Sequence, residues 1–385
     1  MPSPACQPST KLKVETLRAT EALEPLAGPW NQLAGPVVFR RWEWLASWWH
    51  HYQPRGAELL VLTVRDTAGE LVAIAPWYLN RSAWQGGVIR MLGSGDVCSD
   101  YLTIFCQPAW MEPAIDRIAE TLAEETAFAW DALELEAVER DDPSVARLEE
   151  QMSARGLHVA RQSTISSWRI ELPATWDEYV MTLSKSRRER VRQLWRRQFD
   201  TQRARVRWVE RPKEIEPALA ILVDLHQRRR ATMGDCGYFA SPQALPFLRE
   251  VAQRFLELGQ LRFQIVELEG RPVAVEFDLA GDDAVYYYQS GVDPDVIRQR
   301  PGWLGNMAAI RRAIEDGYRY FDFLRGDEPY KQHWRAERVP LVNLRVAARG
   351  LTSGIYHQAW WAKHNVKQRL KQYLRKGETA EAPSR

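Results

Sequence analysis

Short apolar runs alternate with amphipathic stretches along most of the chain, and their order divides it into two halves. In the first half, apolar runs at residues 58–64 and 71–77 surround turn residues at 66–69, which predicts an antiparallel hairpin. Helical periodicity precedes the hairpin over residues 41–52 and follows it over 112–128. The other elements predicted here are strands at 101–105 and 132–135 and a charged helical connection at 141–162.

The second half carries clearer signals. Apolar runs at 261–268, 272–279 and 284–290 follow one another across short turns rich in Gly and Asp, which predicts an antiparallel meander. The other elements predicted here are helices at 176–202, 213–231, 242–258, 303–316 and 328–335 and strands at 319–324 and 341–346. The fold class predicted is therefore α/β (α+β), with two halves that each place helices against a mixed, mostly antiparallel sheet.

Length and composition agree with this division. The 385 residues, 45% hydrophobic and 26% charged, suffice for two or three domains of an ordinary globular protein. We predict a flexible N-terminus over 1–24, a first domain over 25–165, a second over 166–350, and a basic amphipathic helix and tail over 351–385. The tail helix fits either an anionic membrane surface or a place against the second domain.

The net charge of +2 conceals a strong local asymmetry. Residues 184–213 hold twelve basic and three acidic side chains, a net charge of +9, and residues 355–376 carry +6. On the helix in the first of these segments, Arg188, Arg192 and Arg196 form one stripe. Three interpretations remain open for it: a solvated basic face, an electrostatic lip for phosphates or an anionic glycan, and a nucleic-acid surface. No nucleic-acid-binding motif accompanies the charge, which argues against the last.

Cysteine and histidine spacing exclude several classes of site. The four cysteines form no C-x-x-C pair and the seven histidines show no ligand spacing, so neither a disulfide framework nor a metal site is predicted. No signal peptide and no apolar run of 18 residues is present. We expect a cytoplasmic protein, and contact with the inner face of the membrane through the basic tail stays open.

The loop at residues 290–306 is the first candidate for chemistry. It joins a strand to a helix, contains three glycines and carries Arg298 and Arg300. Glycines let a phosphate approach the backbone, and the first turn of a helix attracts anions. Because the loop follows an antiparallel meander, its placement does not fit a Rossmann or Walker motif. The alternative is a plain glycine-rich connection.

This order of elements resembles the GNAT superfamily of acyl-coenzyme A-dependent acyltransferases. The whole chain is similar to its tandem-domain branch, the cellulose-biosynthesis (CelD) or BioF-like acetyltransferases, which are related to the Fem-type peptidyltransferases. The resemblance covers roughly residues 25–350 and rests on FRRWEWLASWW at 39–49, YYYQSGVDPD at 286–295 and FDFLRGDEPYKQHW at 321–334. It implies tandem GNAT-like domains, of which the first is a degenerate copy.

The resemblance also implies a donor, acetyl-CoA or another acyl-CoA, whose pyrophosphate lies against the amides of residues 302–305. The residues expected to contact the donor are Gln299, Arg300, Gly302, Gly305, Asn306 and Ser290. One position departs from the family pattern, because Leu304 stands where a Gly or Ala is usual and the glycine comes one residue later. The contact geometry at the pyrophosphate is therefore expected to differ.

Acyl transfer needs a base for the nucleophile and an acid for the leaving thiolate. Tyr330 stands where the family commonly places the acid, and the alternative is a tyrosine that packs on Trp334. Glu276 is the base candidate, against an ion-paired or solvated acid, and Asp327 and Glu328 compete for that role. The residues expected to bind the acceptor are Lys331, Asp327, Arg188 and Arg192.

The function predicted is acyl-CoA-dependent acyl transfer, with N-acetyl transfer favoured. The acceptor would be a small molecule or glycan that offers an amine or hydroxyl, such as a sugar, cell-envelope or polysaccharide precursor. Two alternatives stay open: a Fem-type enzyme that takes its aminoacyl group from aminoacyl-tRNA, and a non-catalytic module of exopolysaccharide assembly.

Overall fold

Two mixed β-sheets flanked by helices form the protein, as the hydrophobic pattern predicts. The computed structural model describes residues 12–124 and 128–350, and the predicted tail helix therefore lies outside the described residues. Among the described helices, none is long and apolar enough to cross a bilayer.

The first sheet has eight strands. Its strands are β1 (Lys13–Leu17), β2 (Glu58–Arg65), β3 (Leu71–Ser82), β4 (Gly86–Met91), β5 (Phe105–Cys106), β6 (Ala132–Glu139), β7 (His158–Ser163) and β15 (Leu341–Ala347). They lie in the order β1-β2-β3-β4-β6-β15-β7, and β5 pairs with β3. The helices of this half are α1 (Ala27–Ala34), α2 (Trp42–Tyr52), α3 (Met111–Glu124) and α4 (Pro143–Ala154).

The second sheet has seven strands. They are β8 (Ser167–Glu171), β9 (Ala204–Trp208), β10 (Leu261–Leu268), β11 (Arg271–Ala280), β12 (Ala284–Val292), β13 (Tyr320–Asp322) and β14 (Glu337–Val339). Their order is β14-β8-β13-β12-β11-β10-β9. The helices are α5 (Trp176–Thr182), α6 (Lys185–Gln198), α7 (Pro212–Ala231), α8 (Ala244–Glu257) and α9 (Pro301–Glu315).

The two sheets share one arrangement. Each begins with four antiparallel strands, continues with one parallel neighbour (β6 beside β4, β13 beside β12), and ends with two antiparallel strands. The strand in the last but one position is β15 in the first sheet and β8 in the second. The last described strand, β15, therefore completes the first sheet, although we expected the strand at 341–346 in the second half. Only Pro340 separates β14 in one sheet from β15 in the other.

Several elements differ from the sequence prediction for local reasons. Residues 13–17, expected to be flexible, form β1, because their alternating pattern (KVETL) suits a strand that pairs with β2. The single helix expected at 176–202 is two helices, since Leu183 and Ser184 between them are extended. The connection at 141–162 contains α4 and also β7, and only Phe105 of the strand expected at 101–105 is in a strand.

Aromatic side chains pack the two halves together. Trp44 on α2 is fully buried, with its ring 5.0 Å from Phe247 of α8 and 5.1 Å from Tyr288 of β12. Phe39, just before α2, lies 5.3 Å from Tyr286. One continuous apolar core therefore spans the first sheet, α7, α8 and one face of the second sheet.

Candidate active site

The second sheet opens between its two parallel strands. β12 and β13 pair only over three residues, the last of them Tyr286 opposite Asp322. Beyond that point β12 continues to Val292 with β11 as its strand partner. The segment that follows β13 turns away from β12 at Leu324, whose φ is +59°. Strand pairing is therefore interrupted between the outer half of β12 and the segment 323–330; we call this interruption the opening and the two segments its walls.

A β-bulge in β12 lies at the start of this opening. Opposite Phe277 and Asp278 of β11 stand Gln289 and Tyr287, so that Tyr288 is the extra residue. The amide of Tyr288 donates to the Asp278 carboxylate, which is buried, and Oδ1 of Asp278 has no partner among the described residues. Burial raises the pKa of Asp278 well above its usual value, and the neighbouring Glu276 is the second cause of the rise.

Glu276 lies beneath α9 instead of facing the opening. Gln264 on β10 donates to its Oε2 at 2.6 Å. With the Asn306 amide nitrogen turned toward it, that nitrogen lies 3.0 Å from Oε1, and the Asn306 oxygen accepts from Trp334 Nε1 at 2.8 Å. A Cβ at Gly305 would stand 2.3 Å from Oε1 of Glu276, so glycine is required at 305 to let α9 pass over the carboxyl. Gly305 and Asn306, expected at the donor, thus contact the sheet.

Burial raises the pKa of Glu276 to about 8, although the hydrogen bond from Gln264 acts in the opposite direction. The folded protein therefore keeps this carboxyl neutral at a pH where the unfolded chain, with the usual value of 4.5, has ionised it. The stability that depends on the neutral form is complete below pH 4.5 and is lost as the pH rises toward 8.

We expect Glu276→Gln to flatten this pH dependence. Chemical denaturation of the wild type between pH 5 and 8 should show a free energy of unfolding that falls as the pH rises. In the variant the folded state should bind about one proton fewer than the folded wild type over this range, so the slope should be smaller. Glu267→Gln, on the neighbouring strand β10 and partly exposed, is the matched control and should keep the wild-type slope. A Glu276→Gln slope equal to that of the wild type would contradict the argument.

Tyr330 lies on the segment that forms one wall of the opening. Its ring packs edge-on against Phe323 at 5.8 Å, and Phe323 in turn lies 5.6 Å from Tyr287 of β12. Burial raises the pKa of Tyr330, and the charges of Glu328, Glu276 and Asp278 add to the rise. The phenol is thus protonated at neutral pH and can donate its proton.

Ser290 lies on β12, the wall of the opening that faces the Tyr330 segment, and it already accepts two hydrogen bonds. His226 Nδ1 donates to its carbonyl oxygen at 2.8 Å, and Tyr287 Oη donates to its hydroxyl at 2.6 Å. Burial lowers the pKa of His226, which keeps the ring neutral. The β12 carbonyl at 290 is therefore held by α7, and the expected contact of Ser290 with a donor stays a prediction.

Asp322 lies at the end of β13 and anchors the segment 323–330 at the point where β12 and β13 separate. Its buried carboxylate accepts from Tyr101 Oη at 2.6 Å and from Arg169 Nε at 3.0 Å on Oδ2. On Oδ1 it accepts from Ser167 Oγ at 3.0 Å and from the Leu324 amide at 2.7 Å. Tyr101 belongs to the first half, so the first half helps to fix the shape of the opening.

The following residues continue this contact between the halves. The Arg325 amide donates to Oδ2 of the buried Asp100 at 2.7 Å, its guanidinium Nε bonds to the same carboxylate, and Nη2 donates to the Ser99 carbonyl at 2.8 Å. Trp44 Nε1 holds the Ser99 hydroxyl at 2.8 Å. The loop at 93–101 thus braces the segment that carries Tyr330.

Lys331 is enclosed in that segment. Its Nζ donates to the carbonyl oxygens of Leu324, Arg325 and Gly326 at 2.9, 3.0 and 3.1 Å, and its side chain is 2% exposed. Glu328 lies 3.0 Å away. The three carbonyl contacts hold the turn at residues 324–326 around the lysine ammonium group. The expected contact of Lys331 with an acceptor stays a prediction.

An arginine-lined cavity of about 390 Å³ lies between α6 and the turn before α9. Its lining residues are Arg190, Gln193, Leu194, Arg197, Gln198, Arg203, Arg298, Gln299 and Arg300. Five arginines and no acidic residue line this space, which suits a ligand with several phosphate charges, although one of them, Arg203, is also paired with Glu269. The structure thus places the predicted Gln299 and Arg300 in one basic cavity.

Backbone geometry at the start of α9 supports this cavity. Arg300 precedes the helix with φ +60°, a left-handed conformation, and both its guanidinium and that of Arg190 lie 5.9 Å from the Trp303 ring. Gly302 is in the first turn, where an added Cβ would meet only Val292 at 3.6 Å. Glycine at 302 is therefore not required by packing, unlike glycine at 305.

A second cavity, of about 420 Å³, lies on the other side of α6. Its lining residues are Thr175, Trp176, Asp177, Val180, Val191, Arg192, Trp195, Arg196, Asp200 and Arg311. The Trp195 ring lies 5.7 Å from Trp176, and the Arg311 guanidinium lies 4.5 Å above it. Arg192 thus lines this cavity, Arg188 contacts Met181 beside it, and Asp327 is exposed on the loop before Tyr330.

The sequence analysis missed the residues that join the halves. Asp100, Tyr101 and Asp322 have no local signal, since the side chains that join them across the two halves lie more than 150 positions away. Burial of these two aspartates and the tyrosine was not foreseeable without the partners that satisfy them. The one indication was the density of charged residues in FDFLRGDEPYK.

Comparisons with known proteins agree with this architecture. Residues 185–332 match the family model described as Acetyltransferase (GNAT) domain, whereas a comparison with curated proteins found no match. Among solved structures, FemX has a TM-score of 0.64 at 10% identity, and the match covers 90% of this chain and 99% of that one. At this identity the likeness shows the fold alone.

Two further structures have similar folds. A conserved protein of unknown function from Bacteroides thetaiotaomicron VPI-5482 has a TM-score of 0.53 at 12% identity, with 88% of this chain and 100% of that one covered. L-PGS from Bacillus licheniformis has a TM-score of 0.50 at 11% identity, with 87% and 97% covered. The predicted fold class, an α/β protein with two mixed sheets flanked by helices, is confirmed, and the GNAT family model matches within the second half.

Proposed function

We propose that the protein transfers an acyl group, acetyl by preference, from acyl-CoA, because residues 185–332 match the family model of a GNAT acetyltransferase domain. The acceptor would be an amine or hydroxyl of a sugar, cell-envelope or polysaccharide precursor. The observation that carries the proposal is the opening between β12 and β13, with Tyr330 on one wall and the basic cavity beside the start of α9.

The basic cavity supports the choice of donor. Coenzyme A carries a pyrophosphate and a further phosphate, and charge-assisted hydrogen bonds from guanidinium groups suit all of them. Arg298, Gln299 and Arg300 lie directly before α9, whose first turn adds the positive end of the helix dipole. The thioester would then extend into the opening between the strands.

In the proposed reaction the acceptor nitrogen or oxygen attacks the thioester carbonyl carbon directly. The C–S bond breaks, and the hydroxyl of Tyr330 gives its proton to the departing sulfur. The acceptor's proton goes to a carboxylate on the exposed part of the loop, for which Asp327 and Glu328 are the candidates. Glu276 is enclosed by α9, and in this scheme its part is to hold Asn306 and, through it, Trp334 in place.

Donor binding tests the proposal. Calorimetry with acetyl-CoA should show one site per chain, and Arg298→Ala combined with Arg300→Ala should raise Kd about tenfold to a hundredfold, since each lost bond to a phosphate costs roughly 1.5 kcal/mol. The matched control removes the same charge from the other side of α6, as Arg192→Ala with Arg196→Ala, and should leave the donor affinity unchanged. Absence of acyl-CoA affinity in the wild type would overturn the proposal.

The second cavity favours one rival function. Trp176 and Trp195 beside Arg192, Arg196 and Arg311 combine aromatic faces with cations, which suits the unpaired end of a nucleic acid, and the fold is shared with FemX. A Fem-type enzyme would use aminoacyl-tRNA. Salt-sensitive tRNA binding that falls in the Arg192→Ala/Arg196→Ala variant, without acyl-CoA affinity, would establish it. A protein that binds neither donor would be the non-catalytic module.

A further inference from the structure

A cluster of two histidines and a glutamate lies where α2 of the first half meets α8 of the second. His50 and His51 occupy the last turn of α2, and Glu250 lies on α8. His50 Nδ1 and His51 Nε2 each lie 2.8 Å from the same oxygen, Oε2 of Glu250. Sequence spacing predicts no metal site here, because the carboxylate lies about 200 positions from the imidazoles.

We propose that His50, His51 and Glu250 form a binding site for a divalent transition-metal ion, zinc by preference, that links the two halves of the chain. The three donor atoms lie within 4.8 Å of one another. Zinc in proteins takes imidazole nitrogen and carboxylate oxygen at about 2.0–2.2 Å. The imidazoles need to move outward only by roughly half an ångström from Oε2 to admit the ion.

The surroundings of Glu250 leave one oxygen for the ion. The other oxygen, Oε1, accepts from Ser47 Oγ at 3.0 Å and from Arg254 at 2.9 Å. Partners of this kind orient a ligating carboxylate. The remaining oxygen, Oε2, lies 2.8 Å from Nδ1 of His50 and 2.8 Å from Nε2 of His51, so the carboxylate is directed at both rings.

Accessibility and donor type fit the same class of ion. The His50 side chain is 69% exposed, so an ion can enter and a water molecule can complete its coordination. Two imidazoles and one carboxylate suit zinc, nickel or copper better than magnesium or calcium, which prefer oxygen ligands alone. The centroids of the two rings lie 4.4 Å apart, and the three donor atoms are close enough for one cation to contact them all.

Bound zinc would hold α2 against α8 close to the contacts between the halves. Tyr52, which follows His51, has its hydroxyl 3.3 Å from that of Tyr238, and Tyr238 lies 3.5 Å from Tyr288 of β12. Tyr288 in turn donates to the Val97 carbonyl in the loop that braces the Tyr330 segment. The ion therefore connects α2 to α8, and its binding stabilises by mass action the state in which the two halves are in contact.

The test is a zinc titration of the full chain after dialysis against a chelator. Calorimetry should show one zinc ion per chain, and zinc should raise Tm. His50→Ala and Glu250→Gln should each raise Kd by at least about tenfold and abolish the rise in Tm. His158→Ala, an exposed histidine on β7, should behave as the wild type. Cobalt in place of zinc should give the visible absorption of a four-coordinate ion, and Glu250→Gln should remove it.

Two results would overturn the proposal. One is zinc binding that is absent, or that persists unchanged in both His50→Ala and Glu250→Gln. The other is binding that disappears in His50→Ala but persists in Glu250→Gln, which would show a histidine pair on one helix with no link to α8. Because His50 is largely exposed, its variant keeps the fold, and Tm measured without zinc verifies this for both variants.

Discussion

Replacing Tyr330 by phenylalanine is expected to lower kcat of acyl transfer by a factor of about 10² to 10⁴, the usual contribution of a positioned acid. The ring still packs on Phe323, so the wall of the opening keeps its shape, and only the proton for the departing sulfur is lost. Since burial raises the pKa of Tyr330, the wild type carries this proton across the neutral range.

Single-turnover kinetics with acetyl-CoA measure this loss, and calorimetry shows whether donor affinity is kept. Tyr318→Phe is the matched control, because Tyr318 accepts a hydrogen bond from Arg262 near the other end of α9. A Tyr330→Phe enzyme with more than about a tenth of the wild-type kcat would leave the tyrosine as a packing residue.

Asp322→Ala is expected to destabilise the fold by about 3–5 kcal/mol, as removal of one partner of a buried ion pair does. The change leaves the Tyr101 hydroxyl, the Arg169 guanidinium and the Ser167 hydroxyl without their acceptor in the buried region where the two halves meet. The Leu324 amide loses its acceptor as well, so the turn at the start of the opening is also weakened.

Urea denaturation measures this effect against Asp224→Ala. Asp224 makes an exposed i,i+4 pair with Arg228 and should change the free energy of unfolding by less than about 1 kcal/mol. An intermediate cost is expected for Asp322→Asn, which keeps one oxygen acceptor. Equal stability of Asp322→Ala and Asp224→Ala would show that the buried network does not contribute.

The local sequence pattern was sufficient to predict the elements whose structure depends on residues close to them in the sequence. The meander of β10, β11 and β12 was predicted because its strands pair across short turns, and α7 and α8 because each presents one apolar face. β4 and β9 were missed, since Gly-Gly begins the first and alternating arginines occupy the second. The position of β15 has no local cause at all, because its partners are β6 and β7.

The candidate site divides in the same way. Gln299, Arg300 and Tyr330 lie on one stretch of chain after the meander; the first two line the basic cavity and the third lies beside the opening, and their roles stay predictions. Glu276 could not be placed, because alternation along β11 shows only that it shares a face with Asp278. Whether solvent or α9 covers that face depends on Gly305, which is far from it in sequence.

The position of β15 also sets an order on synthesis. The strand follows β7 by roughly 180 residues in the chain, yet it must enter between β6 and β7. At about 5–20 residues per second, a ribosome needs on the order of ten to forty seconds for that interval. Throughout it two strands of the first sheet present unpaired edges, which invite pairing with another chain. The described part of the first sheet is therefore complete only once β15 has emerged from the ribosome.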